Sequence, residues 1–176
     1  QGQVDGYMGK FWGLFLMPVI SLLMLPLFWL LPRLDPLKEN YRHFQKHYDG
    51  FLLLLIVFFL YLYLLTLKWN LGQRFDMGRQ LLPAFGIFFF YIGFLLEKTK
   101  RNWFLGIRTP WTLSSDNVWE KTHKLGGKLF MASGVVAIIG LLFPPEISFL
   151  LVLPPVLLSG LITVVYSCFV YREEIK

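Results

Sequence analysis

The sequence predicts an all-α protein, a polytopic bundle of five membrane-spanning helices in one membrane domain covering residues 1–176. Three observations carry that class. The 176-residue chain is 56% hydrophobic and 18% aromatic but only 16% charged, where a soluble domain carries about 25% charged residues. The charges cluster, leaving uncharged windows at 11–32, 50–67, 80–96, 129–145 and 147–171. Each is long enough for a helix to cross a hydrocarbon core about 30 Å thick, and none shows the apolar–polar alternation of a membrane β-barrel strand. Finally, Trp12 and Trp29 lie near the ends of the first window and Trp69 follows the second, the depth at which an amphipathic ring prefers to sit.

The five spans, A to E in order, carry distinct local signals. Span A (11–32) contains Pro18 and Pro26, which should bend it. The A–B loop reads "PRLDPLKENYRHF" and continues to His47 and Tyr48. His43 and His47 are four residues apart and would share one helix face, but no third metal ligand is near them, so no metal site is predicted. An interfacial amphipathic helix with Tyr41, Phe44, His47 and Tyr48 turned towards the membrane fits the pattern better. Spans B (50–67) and C (80–96) are rich in aromatic residues, "FLLLLIVFFLYLYLL" and "FGIFFFYIGFLL". They read as lipid-facing and packing surface, with an apolar groove for a hydrophobic ligand as the functional alternative. Pro83 suits the first turn of span C. Pro144-Pro145 imply a tight D–E turn after span D (129–145). Pro154-Pro155 should break or strongly kink span E (147–171). Cys168 is the single cysteine and reads as a small packing residue.

The basic residues orient the bundle. Counting by alternate sides, the A–B loop, the C–D loop and the C-terminal tail hold 13 Lys and Arg, against 4 for the N-terminal stretch, the B–C loop and the D–E turn. The positive-inside rule puts the richer side, C-terminus included, in the cytoplasm of a multi-pass cell-membrane protein. The net charge of +6 follows from this asymmetry. It implies attraction to anionic headgroups of the bilayer and no direct nucleic-acid partner, because the cations are spread over short juxtamembrane loops. The chain begins at Gln1, so a further upstream span, six in all, is expected.

No span contains Asp, Glu, Lys, Arg or His. Pumps, proton relays and intramembrane hydrolases use such groups at depth, so catalysis within the bilayer is not predicted, and neither is a cofactor. Polar chemistry concentrates instead in residues 97–128, "NWFLGIRTPWTLSSDNVWEKTHKLGG" from Asn102 onward. Pro110 pushes Thr109 into an extended conformation. Thr112, Ser114 and Ser115 are helix N-cap candidates, and Asp116 would meet the helix dipole favourably. A helix should run from about 115 to 125 at the inner interface, with Trp119 and His123 on a face at the membrane surface. Gly126-Gly127 would then allow either a bend into span D or a close helix contact.

This stretch closely resembles the signature of the SdpI family of integral membrane proteins. The resemblance rests on Asn102, Gly106, Arg108, Thr109, Pro110, Trp111, Thr112, Trp119, Thr122, His123 and Gly127. The A–B loop, with Asp35, Pro36, Asn40 and Tyr41, looks like that family's intermediate loop, and "GQVDGYMGK" resembles the end of its outward-facing segment. The resemblance implies immunity against a hydrophobic, sporulation-delaying peptide toxin on the outer side. It also implies signalling, by holding a cytoplasmic transcription repressor at the membrane. The signature residues would form the binding loop of a non-enzymatic protein. The alternative is a small membrane enzyme or transporter with an interfacial anion or lipid-phosphate site at Arg108 and His123, with Glu97, Asp116 and Glu120 as its further candidate groups. A passive subunit of a larger complex is a third reading. Oligomeric state is not legible.

Overall fold

A computed structural model describes residues 6 and 9–176. Residues 2–5, 7 and 8 of the expected outward-facing stretch lie outside them. The described chain is all helical, with five helices long and apolar enough to cross a membrane. These are α1 (Lys10–Leu34), α2 (Gln45–Asn70), α3 (Met77–Lys98), α5 (Asp116–Ile139) and α7 (Leu153–Glu174). Two short helices punctuate them, α4 (Pro110–Ser114) and α6 (Pro145–Ser148), with 3-10 turns at Lys38–His43, Gly140–Leu142 and Phe149–Leu151. The spatial order follows the chain: α1 packs on α2, α2 on α3, α3 on α5, and α5 on α7.

The α3–α5 pair is the most extensive contact, and glycine makes it. Gly86 faces Gly134 and Gly93 faces Gly127, so two antiparallel helices meet at pairs spaced seven residues apart. A Cβ on Gly93 would lie 2.5 Å from the Gly127 carbonyl oxygen, and one on Gly127 would lie 2.7 Å from that of Gly93. Lipid tails are as apolar as leucine, so association in a bilayer draws on close backbone approach of this kind. Of the two roles open to Gly126-Gly127, the structure selects close contact. Helix α5 runs unbroken from Asp116 through both glycines, so the expected helix at 115–125 forms but continues straight into span D without a bend.

Prolines act differently from expectation in two places, spans C and E. Asp76 caps α3, its carboxylate accepting from the Arg79 N–H at 2.9 Å. The helix therefore starts at Met77, and Pro83 lies inside it rather than in its first turn. Helix α7 begins at Leu153, which puts Pro154 and Pro155 in its first turn, where missing N–H groups cost no internal bond. Span E is accordingly shorter than 147–171, and the D–E connection is α6 plus a 3-10 turn. Helix α1 continues through Pro18, Pro26 and Pro32. Pro32 lacks the N–H that would reach the carbonyl four residues back, at Phe28. The Tyr48 hydroxyl donates to that carbonyl instead, as a freed group in a membrane helix requires.

At the other end of α2, Gly72 (φ +90°) closes the helix. Its N–H donates to the Trp69 carbonyl and that of Gln73 to Lys68, each at 3.1 Å, which is the Schellman arrangement.

Candidate functional site

The A–B loop, the C–D loop and the C-terminal end of α7 meet at one end of the bundle. Asp35, just past α1, is 2% exposed. Its two carboxylate oxygens accept from the Leu37 N–H at 2.7 Å and from the Trp103 N–H at 2.8 Å. The Asn40 amide donates to the Arg101 carbonyl at 2.7 Å. The Tyr41 hydroxyl donates to Asn102 Oδ1 at 3.2 Å. Burial, and next the negative charge of Asp35, push the Tyr41 phenol well above its ordinary range, so it stays a neutral donor. Pro36 is exposed and makes the turn.

Asn102 is fully buried and organises its loop. Its Oδ1 also accepts from the N–H groups of Phe104 (3.0 Å) and Leu105 (2.6 Å), and its Nδ2 donates to the Lys100 carbonyl at 2.9 Å. A buried amide with every group partnered fixes backbone direction. The chain then passes Gly106, whose φ of +99° a side chain would resist. A Cβ there would also run into the His123 imidazole.

His123 is 1% exposed. The Ile107 N–H donates to its Nε2 at 2.9 Å, and its Nδ1 lies 2.8 Å from the Trp119 carbonyl. Since Nε2 accepts, Nδ1 must carry the proton, and the ring is neutral. Trp119 stacks on it with centroids 3.9 Å apart at 15° and donates from its indole N–H to the Thr99 carbonyl at 3.2 Å. Val118, Trp119, Thr122 and His123 are all buried. The face expected at the membrane surface is therefore a face of the protein interior. The same correction applies to the A–B loop. Tyr41, Phe44 and Tyr48 form one core cluster with Phe51, Leu55 and Leu95 rather than facing lipid.

Thr109 and Thr112 form a capping box around Pro110 at the start of α4. Thr112 Oγ1 also donates to the Ile107 carbonyl at 2.8 Å. Thr109 Oγ1 reaches Ser167 Oγ of α7 at 3.0 Å. Ser115 caps α5 and donates to the Glu174 carboxylate at 2.7 Å. Asn117 joins it at 3.1 Å. Arg101 donates to the Leu113 carbonyl at 2.8 Å and pairs with Asp116 at 2.8 Å. Ser167, Glu174, Arg101 and Thr99 were not singled out from the sequence. The Ser159, Thr163 and Ser167 series, four residues apart on α7, was the available signal.

The signature residues thus divide. Asn102, Thr109, Thr112, Trp119, Thr122, His123 and Gly127 are buried, and Gly106, though exposed, is held by its backbone angle. Arg108 is exposed, donating to the Trp103 carbonyl at 2.7 Å. Pro110 is exposed and Trp111 half-buried. Arg108 and His123 do not form a joint anion site, because the imidazole is buried with both nitrogens engaged. Glu97 and Glu120 are exposed and take no part in the network described here.

The model of the SdpI/YfhL protein family matches residues 98–167, from the end of α3 to Ser167, the serine that closes on Thr109. The immunity protein SdpI of Bacillus subtilis (strain 168) is 26% identical over 160 residues, covering 91% of this chain and 75% of that protein. This is an SdpI-like protein. No solved structure matches it. The SdpI-like segment holds the loop, both of its caps and the two helices that bury it. Asp35, Asn40 and Tyr41, which precede the matched segment, are tied to it by hydrogen bonds.

Proposed function

We propose that this SdpI-like chain is a non-enzymatic membrane immunity protein that protects the cell carrying it against a hydrophobic peptide toxin met on the outer side. The observation that carries the reading is the similarity to an immunity protein along 91% of the chain. Spans free of charged residues also favour it. The cytoplasmic end would be the one where the A–B loop, the C–D loop and the C-terminus meet, by its excess of Lys and Arg. There the exposed Arg108, projecting from a rigid loop, is suited to contact a transcription repressor and report toxin binding.

The test is expression in a toxin-sensitive host challenged with hydrophobic peptide toxins, with crosslinked capture of cytoplasmic partners. Survival against at least one such toxin at normal membrane levels is expected. Sensitivity equal to the empty host across the panel sinks the immunity reading, and capture of no DNA-binding protein sinks the signalling one.

A further inference from the structure

We propose that a cleft between the C-terminal end of α1 and the start of α2 seats the phosphate of a membrane phospholipid. The cleft measures about 440 Å³ and lies where the end of α1, the A–B loop and the start of α2 meet. Trp29, Arg33, Lys38, Arg42, Gln45 and Leu52 are among its walls. Its position is a product of the fold: Pro32 frees the Phe28 carbonyl, Tyr48 takes it, and this bond joins the two helices beside the cleft.

The charges inside are unequally engaged. Arg42 pairs with Glu39 at 2.9 Å. Asp49 also lines the wall. Arg33 stacks its guanidinium 3.5 Å from the centre of the Trp29 ring, which holds the fork in place while leaving its edge donors for an oxyanion. Lys38 adds a second cation. The walls therefore offer a cationic pair for a phosphate, with Asp49 able to meet a headgroup amine or hydroxyl. Trp29, 54% exposed, and Leu52 provide apolar surface for the start of an acyl chain. Basic pockets between membrane helices on the cytoplasmic side take phospholipid headgroups by this chemistry. A free phosphate ion would use the cations alone, whereas a lipid needs the apolar wall too. The site is independent of the immunity reading.

The experiment is native mass spectrometry of the whole protein released from nanodiscs containing phosphatidylglycerol and phosphatidylcholine, with lipid retention counted per protein. Wild type should retain one phosphatidylglycerol. Each cation near an anionic group contributes about fivefold, so R33Q/K38Q should lower retention about 25-fold. Both side chains are exposed, so the fold should persist, as circular dichroism would verify. Gln45→Trp, which keeps every charge but fills the cleft, should also release the lipid. Undiminished retention in R33Q/K38Q overturns the assignment, and retention in Gln45→Trp removes it from this cleft. Displacement of the lipid by 10 mM inorganic phosphate (roughly ten-thousandfold above a micromolar site) would overturn the lipid as occupant in favour of the free ion.

Discussion

Single residues in the signature loop do unlike work, and substitutions should separate them. His123→Ala leaves the Ile107 N–H without its acceptor and opens a cavity beside Trp119. The expected cost is about 2–4 kcal/mol, read as a lower unfolding midpoint in detergent. Asn102→Ala orphans the N–H groups of Phe104 and Leu105 together with the Tyr41 hydroxyl, and should cost about 3 kcal/mol. Gly106→Ala should cost about as much, from backbone strain at φ +99° and collision with the imidazole. Protonating His123 would set an N–H against the Ile107 N–H, so the imidazole is a structural strut and not a charge switch. Arg108→Ala is the contrast: it removes an exposed side chain with one hydrogen bond to a carbonyl. Membrane levels should stay normal while protection or reporter output falls. Unchanged output would leave Arg108 as surface decoration.

Among the elements, the α3–α5 pair governs stability. Gly93→Ala and Gly127→Ala each force a Cβ against backbone, which cannot rotate away as a side-chain tip can. Each should cost about 1–3 kcal/mol. Gly160→Ala, where no atom lies within 4 Å of the added carbon, should be close to neutral. Equal effects at all three positions would mean that helix propensity, not packing, sets the outcome. The peripheral α1 has no buried residue. Phe28 ties it to α2, offering its carbonyl to Tyr48 and its ring to Phe51.

For the whole molecule, the matter to test is sidedness. Hydrogen bonds from Asn40 to Arg101 and from Ser115 to Glu174 bring three segments to one end of the bundle, the three that carry 13 of the 17 Lys and Arg. A cysteine at the exposed Ser114, in a Cys168→Ser background, should resist a membrane-impermeant thiol reagent in intact cells and react after permeabilisation. Labelling from outside would invert the topology and place this end, Arg108 included, towards the toxin.

The helical membrane class was legible from the chain alone because bilayer thickness sets a length and a polarity that each span must meet by itself. The Ser115 cap was legible for the same reason, since it acts on backbone within three residues, whereas Thr112 and Ser114, the other cap candidates, lie inside α4, which Thr109 caps. Which way the signature faces was not legible. Spacing put Trp119 with His123, and Tyr41 with Phe44 and Tyr48, on common faces. An amphipathic face, however, can bury itself in lipid headgroups or in protein, and local periodicity is the same for both. The choice rested on partners far along the chain: Asp35 for Trp103, Asn102 for Tyr41, Ser167 for Thr109. Likewise the glycines at 86, 93, 127 and 134 show their seven-residue spacing in the sequence, but only the antiparallel docking of α3 on α5 pairs them and turns a possible bend at Gly127 into a straight, close-packed helix.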